Sequence, residues 1–288
     1  MNVAAPQSPI LRWIYAGYML AFFVYLAAPL AAAAAFAFND SLFPALPWKG
    51  FTLDWFFGAT EPKLGMFHDR RLMQGLWNSV IIGLAVSALS VAVGTCNAFL
   101  FERRQFPAKN LLYVLMIVPL VIPGVILGIS ILVFASMIAN GLEEALNWEF
   151  DFLRPGTFLV IMGQFSFVVT ITSLVIAARL RKFDVALEEA ALNLGASRAR
   201  VLTTVTLPYL APALFSAFVV AFLISFENFN TTLMLVGSDA PLPIAMYDRM
   251  AKAGSTPVLN AVSVFLIVAS GILALLSIVV QRDGELTS

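Results

Sequence analysis

From Asp184 to Pro208 the chain reads DVALEEAALNLGASRARVLTTVTLP. Leu187, Ala190, Ala191 and Leu194 recur at i, i+3, i+4 and i+7, which predicts a short amphipathic helix with one apolar stripe. Asp184, Glu188 and Glu189 stand at its start, where the helix dipole favours negative charge, and Gly195 stands where a helix ends in a left-handed cap. Ser197 is placed to cap a second helix that leads through Val201 and Leu202 to Leu207 and Pro208. The segment therefore reads as helix, sharp turn, helix.

On both sides of this segment the sequence is that of a membrane. Of 288 residues, 60% are apolar and 12% charged, with mean hydropathy +0.90. Soluble domains carry roughly twice that charge. A charged side chain at mid-bilayer costs about 2.5–3.5 kcal/mol or more, so the stretches between charges delimit candidate spans. Six appear: Trp13 to Asn39, Leu72 to Phe101, Asn110 to Leu142, Pro155 to Ala178, Val201 to Phe226 and Ala253 to Gln281. Each exceeds the roughly 20 residues needed to cross. The first also has the charge and small residues of a secretory leader, but its 27 uncharged residues favour an uncleaved anchor. With 17 basic and 17 acidic residues there is no basic excess to attract nucleic acid. Cys96 alone makes no internal disulfide, and His68 alone builds no histidine metal cluster.

Orientation follows from the basic residues. With both termini cytoplasmic, 10 of 17 lie inside, concentrated in the short connection Glu102 to Lys109 and in Arg179, Arg181 and Lys182. The first outside loop carries Phe43, Trp48, Phe51, Trp55, Phe56 and Phe57 between prolines and reads chiefly as an interfacial aromatic segment. Ser90, Gly94 and Ala98, four apart, offer a small-residue face for close helix packing, and Cys96 reads as one more small packing residue. Pro119, Pro123, Gly124 and Gly128 predict a bend in the third span.

Glu189-Ala190-Ala191, three residues, Gly195, nine residues, then Val205-Thr206-Leu207-Pro208 resembles the signature loop of permease subunits of binding-protein-dependent ABC importers, with Val where Ile is usual. The resemblance extends from Asn78-Ser79 to Leu242-Pro243 and the stretch Pro257 to Ala261. It is most like the second permease of spermidine/putrescine-type systems. The end of the fifth span there is a Ser-Phe-Asp-Asp-like stretch, and here it is Ser225-Phe226-Glu227-Asn228, different at both acidic positions.

The resemblance implies an all-α integral membrane protein of the type I ABC importer permease fold, one transmembrane domain over residues 1–288. Its six spans fall at about 13–38, 75–101, 111–138, 157–178, 208–226 and 257–281, with the coupling loop at 179–207 between the fourth and fifth. It further implies that Leu187, Glu188, Glu189, Ala190, Ala191, Leu194, Gly195, Leu207 and Pro208 couple the chain to a cytoplasmic ATPase subunit dimer, with Glu188 and Glu189 placed to meet basic groups. The other implied partners are a second homologous permease, an extracytoplasmic or periplasmic substrate-binding protein and the lipid of a bacterial inner membrane. No Walker A sequence occurs, since no lysine is followed by Ser or Thr, so ATP and Mg are expected on the ATPase partners and no cofactor on this chain.

The transported solute is expected to be small and polar, a polyamine or related cation. Glu227, Asn230 and Thr231 lie at i, i+3 and i+4, so a helix continuing past Phe226 would carry them, with Asn228 nearby, as one polar face on the substrate path. A secondary transporter is the alternative; it predicts intramembrane carboxylates, and Glu227 at a window's edge is the nearest candidate. An intramembrane hydrolase needs Asp or His in the spans, and the six windows hold neither.

Overall fold

The computed structural model describes residues 9–148 and 150–286. Most of them are helical, as apolar sequence in lipid requires: only an internally hydrogen-bonded backbone is tolerated there. Helices α1 (Pro9–Ala37), α2 (Asp54–Phe57), α3 (Arg70–Arg103), α4 (Lys109–Val121), α5 (Gly124–Leu146), α6 (Thr157–Leu180), α7 (Ala186–Asn193), α8 (Arg198–Val201), α9 (Leu207–Phe226), α10 (Asn230–Leu235), α11 (Leu242–Ala253) and α12 (Pro257–Leu286) follow in order. Six helical stretches are long and apolar enough to cross a membrane, matching the six windows. The third window differs from its expected bend: it is broken outright at Ile122 and Pro123, both extended, so that α4 and α5 are separate helices.

The chain divides into two compact units, the described residues of 1–70 with 249–268, and those of 71–248 with 269–286. In the first unit, α1 buries almost nothing against the described residues. The loop after it is more than an interfacial ribbon. Asn39 is buried and ties it internally: its Nδ2 donates to the Ala45 carbonyl (3.2 Å), its Oδ1 accepts from the Lys49 N–H (2.9 Å), and its carbonyl accepts from Trp55 Nε1 (2.9 Å). Phe38 stacks on Phe51 and Phe56, and Lys63 bridges Asp40 and Asp54. Trp55 and Phe56 are therefore core residues, while Phe43, Trp48, Phe51 and Phe57 remain exposed.

The second unit is built around α6, the most buried of the spans. Val168 and Leu159 of α6 pack with Ile82 and Val86 of α3, Ala221 of α9 and Leu235 of α10; nearer the other end Ile176 and Leu180 pack with Ala98 and Leu210. The expected small-residue face is where α3 meets α6: Ser90, Gly94 and Ala98 are all buried, and Thr172 Oγ1 donates to the Ser90 carbonyl (2.8 Å). Cys96 is not a packing residue. It is exposed on α3 and lines a cavity of about 680 Å³ with Phe99, Arg104 and Arg198.

Candidate functional site

The loop between the fourth and fifth spans folds as its sequence predicts, and its ends are fastened by three cations. Asp184 Oδ1 accepts the Ala186 N–H (2.9 Å) just before α7, so this residue precedes the helix rather than joining its first turn. At the far end the Ala196 N–H donates to the Ala191 carbonyl and the Gly195 N–H to the Leu192 carbonyl, the paired bonds of a Schellman cap. Gly195 has φ +88, a left-handed conformation that a side chain strains. Ser197 Oγ then accepts the Arg200 N–H (3.4 Å) and caps α8. Arg181 pairs with Glu102 (2.7 Å), Arg103 pairs with Glu188 (3.4 Å), and the Arg179 guanidinium lies 4.2 Å from the centre of the Tyr209 ring. The Glu102 carboxylate raises the Arg181 pKa above the ordinary arginine value.

Between α8 and α9, Leu202–Thr206 forms one π turn, with the Leu207 N–H bonded to the Leu202 carbonyl. Pro208 has no N–H for the Thr204 carbonyl, and the wider turn takes up that mismatch in the ladder. Leu207 is half-buried and Pro208 exposed.

Among the described residues the expected stripe is left largely uncovered. Leu194 is 89% exposed and Leu187 53%, Ala190 is exposed and Ala191 half-buried. Glu189 is exposed as well, but Glu188 turns inward, against its expected outward role: its Oε1 accepts from Thr206 Oγ1 (2.8 Å) and from Arg103. Glu188 thus pins α7 to the π turn and to the end of α3, leaving Glu189 as the outward charge.

The second cluster lies where the fifth span ends. The helix does not continue past Phe226; residues 227–229 are non-helical and α10 starts afresh at Asn230. The single polar face expected of Glu227, Asn230 and Thr231 is therefore divided: Glu227 and Asn230 are exposed, Asn228 is half-buried, and Thr231 is buried with no hydrogen-bond partner for Oγ1 among the described residues. Residues that sequence reasoning passed over make this break. Gln164 of α6, 1% exposed, donates from Nε2 to Thr232 Oγ1 (2.8 Å) and accepts from Ser225 Oγ, joining the end of α9 to α10. Gly124, Gly128 and Gly163 admit α10; a Cβ on Gly128 would stand 2.9 Å from the Thr231 carbonyl oxygen. The four-residue spacing of Gly124 and Gly128 was the available signal.

The two ends of the sequence resemblance also meet: Ser79 Oγ accepts the Leu242 N–H (2.9 Å), and Asn78 Nδ2 donates to the Ala240 carbonyl (3.3 Å).

Residues 90–282 match the model of the family described as binding-protein-dependent transport system inner membrane component. The chain belongs to this family. It is accordingly a multi-pass inner-membrane permease subunit of an ABC importer. The permease is 26% identical, over 94% of its length and 95% of the other's, to the spermidine/putrescine transport system permease protein PotC of Escherichia coli. It is 27% identical to the putrescine transport system permease protein PotI of the same organism, over 91% of this chain and 89% of that one. To the molybdenum transport system permease protein ModB of Escherichia coli it is 35% identical over 62% of this chain and 81% of that protein. Among solved structures, a bacterial ABC transporter involved in import of the acidic polysaccharide alginate matches with TM-score 0.71, 18% identity and coverage of 94% and 96% of the two chains. That similarity places the fold as the type I permease fold.

Proposed function

We propose that this permease moves a small polar solute inward across the membrane by alternating access, driven by ATP that separate ATPase subunits bind with Mg and hydrolyse. The unpartnered Leu187 and Leu194 stripe carries the proposal: an exposed leucine at 89% on a helix locked at both ends is a surface made to be covered by another protein. In this reading α7 seats in a groove of the ATPase subunit, Glu189 meets a basic group there, and Glu188, with Arg103 and Thr206, transmits the motion to α3 and α9. A second homologous permease completes the path, and an extracytoplasmic binding protein delivers solute to it. A binding protein seated on a transporter of this fold is the subject of the alginate complex, which supports that partner. Both termini face the cytoplasm. Reporter fusions after Lys63 and after Arg198 are expected to report outside and inside respectively; the same side for both would refute the topology.

The path runs past the break after α9. Glu227, Asn228 and Asn230 gather there, and Glu227 supplies a negative charge suited to a cation, the class to which the putrescine named for two relatives belongs. Glu227→Gln is expected to lower uptake by about tenfold while the loaded binding protein still stimulates ATP hydrolysis, as loss of one charge-assisted hydrogen bond predicts. Unchanged uptake over a range of solute concentrations would remove Glu227 from the path.

A further inference from the structure

The direction of the hydrogen bonds at the break is fixed by one group that cannot act in reverse. A backbone N–H only donates, and that of Thr232 lies 3.3 Å from one end of the Asn228 side-chain amide, so that end is the oxygen, Oδ1. Thr232 Oγ1 lies 3.0 Å from the same oxygen and donates to it. Having spent its proton, this hydroxyl accepts from Gln164, which must present Nε2. Gln164 Oε1 in turn accepts from Ser225 Oγ. Gln164, Thr232 and Ser225 are each 3% exposed or less, so reversing the chain would strand a buried donor or acceptor.

The consequence appears at the half-buried end. Both lone pairs of Asn228 Oδ1 are taken by Thr232, which pins the amide plane from behind. Its Nδ2 carries two N–H groups that no acceptor among the described residues meets. Next in the chain, exposed Glu227 offers a carboxylate that only accepts when ionised. The break therefore presents an anionic acceptor and a neutral donor pair, not two anions.

We propose that this site selects a solute with one ammonium group and one oxygen acceptor, such as a hydroxyl or an acid oxygen, over a diamine of equal length. The inference rests on the reading of the break as part of the path. The ammonium binds Glu227 and the oxygen takes the Asn228 N–H groups. A second ammonium would meet N–H donors and leave both sides unsatisfied, the situation in which sites built for hydrogen bonding discriminate most sharply. Gln164 is a positioning residue: it touches no solute, and by donating to Thr232 Oγ1 it keeps that hydroxyl's proton on Asn228 Oδ1, while the Thr232 N–H sets which way the amide faces.

The test uses the assembled permease–ATPase complex in nanodiscs, without binding protein, so that the binding protein's selectivity does not enter. Calorimetric affinities are measured for 4-aminobutanol and putrescine. The wild type is expected to prefer 4-aminobutanol by about tenfold or more. Asn228→Asp keeps an oxygen for Thr232 and replaces Nδ2 by an acceptor, so the order should invert. Gln164→Leu leaves the Thr232 N–H in place, so it should narrow the preference without inverting it or abolishing binding. A wild type that binds putrescine at least as tightly, or neither compound, overturns the proposal, and so does an unchanged order in Asn228→Asp. Glu227→Gln separates the two readings. If it weakens both compounds while Asn228→Asp leaves their order intact, the path stands and the selectivity is refuted; if it leaves both affinities unchanged, the path itself is refuted.

Discussion

A permease carrying Leu194→Asp is expected to insert and fold normally yet lose at least about nine-tenths of its ATP-driven uptake. Leu194 is 89% exposed and touches little of its own chain, so its replacement takes almost nothing from the fold. In the proposed docking the same side chain is buried against the ATPase subunit, where covering a leucine contributes roughly 1.5–3 kcal/mol, about ten- to a hundredfold in affinity. The aspartate adds the cost of an unpaired charge in a protein groove. Affinity purification of the ATPase subunit with the tagged permease, together with uptake, checks this: wild-type recovery and uptake in the variant would mean that α7 is not the docking element. Gly195→Val is expected to act on the same contact by another route. Its φ of +88 is costly for a β-branched residue, by roughly 1–2 kcal/mol, so the Schellman cap loosens and the stripe loses its fixed direction.

Gly128→Val is expected to be the most damaging substitution inside the membrane. The new Cβ would stand 2.9 Å from the Thr231 backbone oxygen and 3.0 Å from the Met234 Cβ, and neither can swing away as the end of a long side chain would. Separating α5 from α10 costs on the order of 1–3 kcal/mol for overpacking alone. It also displaces Thr232 from Gln164 and Asn228, so that solute uptake falls even where the protein accumulates. Thermal unfolding of the purified variant several degrees below the wild type, with uptake reduced beyond what the lower abundance explains, is the expected result. A variant with wild-type melting and uptake would show that α10 does not rest on Gly128 as described.

The coupling loop was legible because its determinants are local. The stripe, Gly195 and Ser197 lie within a few residues of the bonds they make, and each acts through backbone geometry that sequence spacing encodes. The spans were legible for a similar reason, since the cost of a charge in lipid acts residue by residue. The inward turn of Glu188 was not, because its partners Arg103 and Thr206 lie 85 and 18 residues away and only the packing of α3 and α9 brings them close. The break after Phe226 was hidden more deeply. Phe226 to Asn230 contains neither proline nor glycine, and the end of α9 is held by Gln164, 61 residues before Ser225. Gly124 and Gly128 marked a contact but not its occupant; a bend and a groove for a short helix draw on the same small residues. In the loop after α1, Asn39 and Trp55 set a fold where aromatic composition alone suggests only a membrane interface.

The central claim is that hydrolysis of ATP by a separate subunit, passed through α7, drives the permease. Its most direct test is solute uptake into proteoliposomes holding the assembled importer and saturating loaded binding protein, with proton and sodium gradients collapsed. Uptake is expected to require ATP inside the reaction with the ATPase subunits, to vanish with a hydrolysis-deficient ATPase subunit, and to be indifferent to ionophores. Uptake that an imposed proton or sodium gradient drives without ATP would contradict the account and make the chain a secondary transporter.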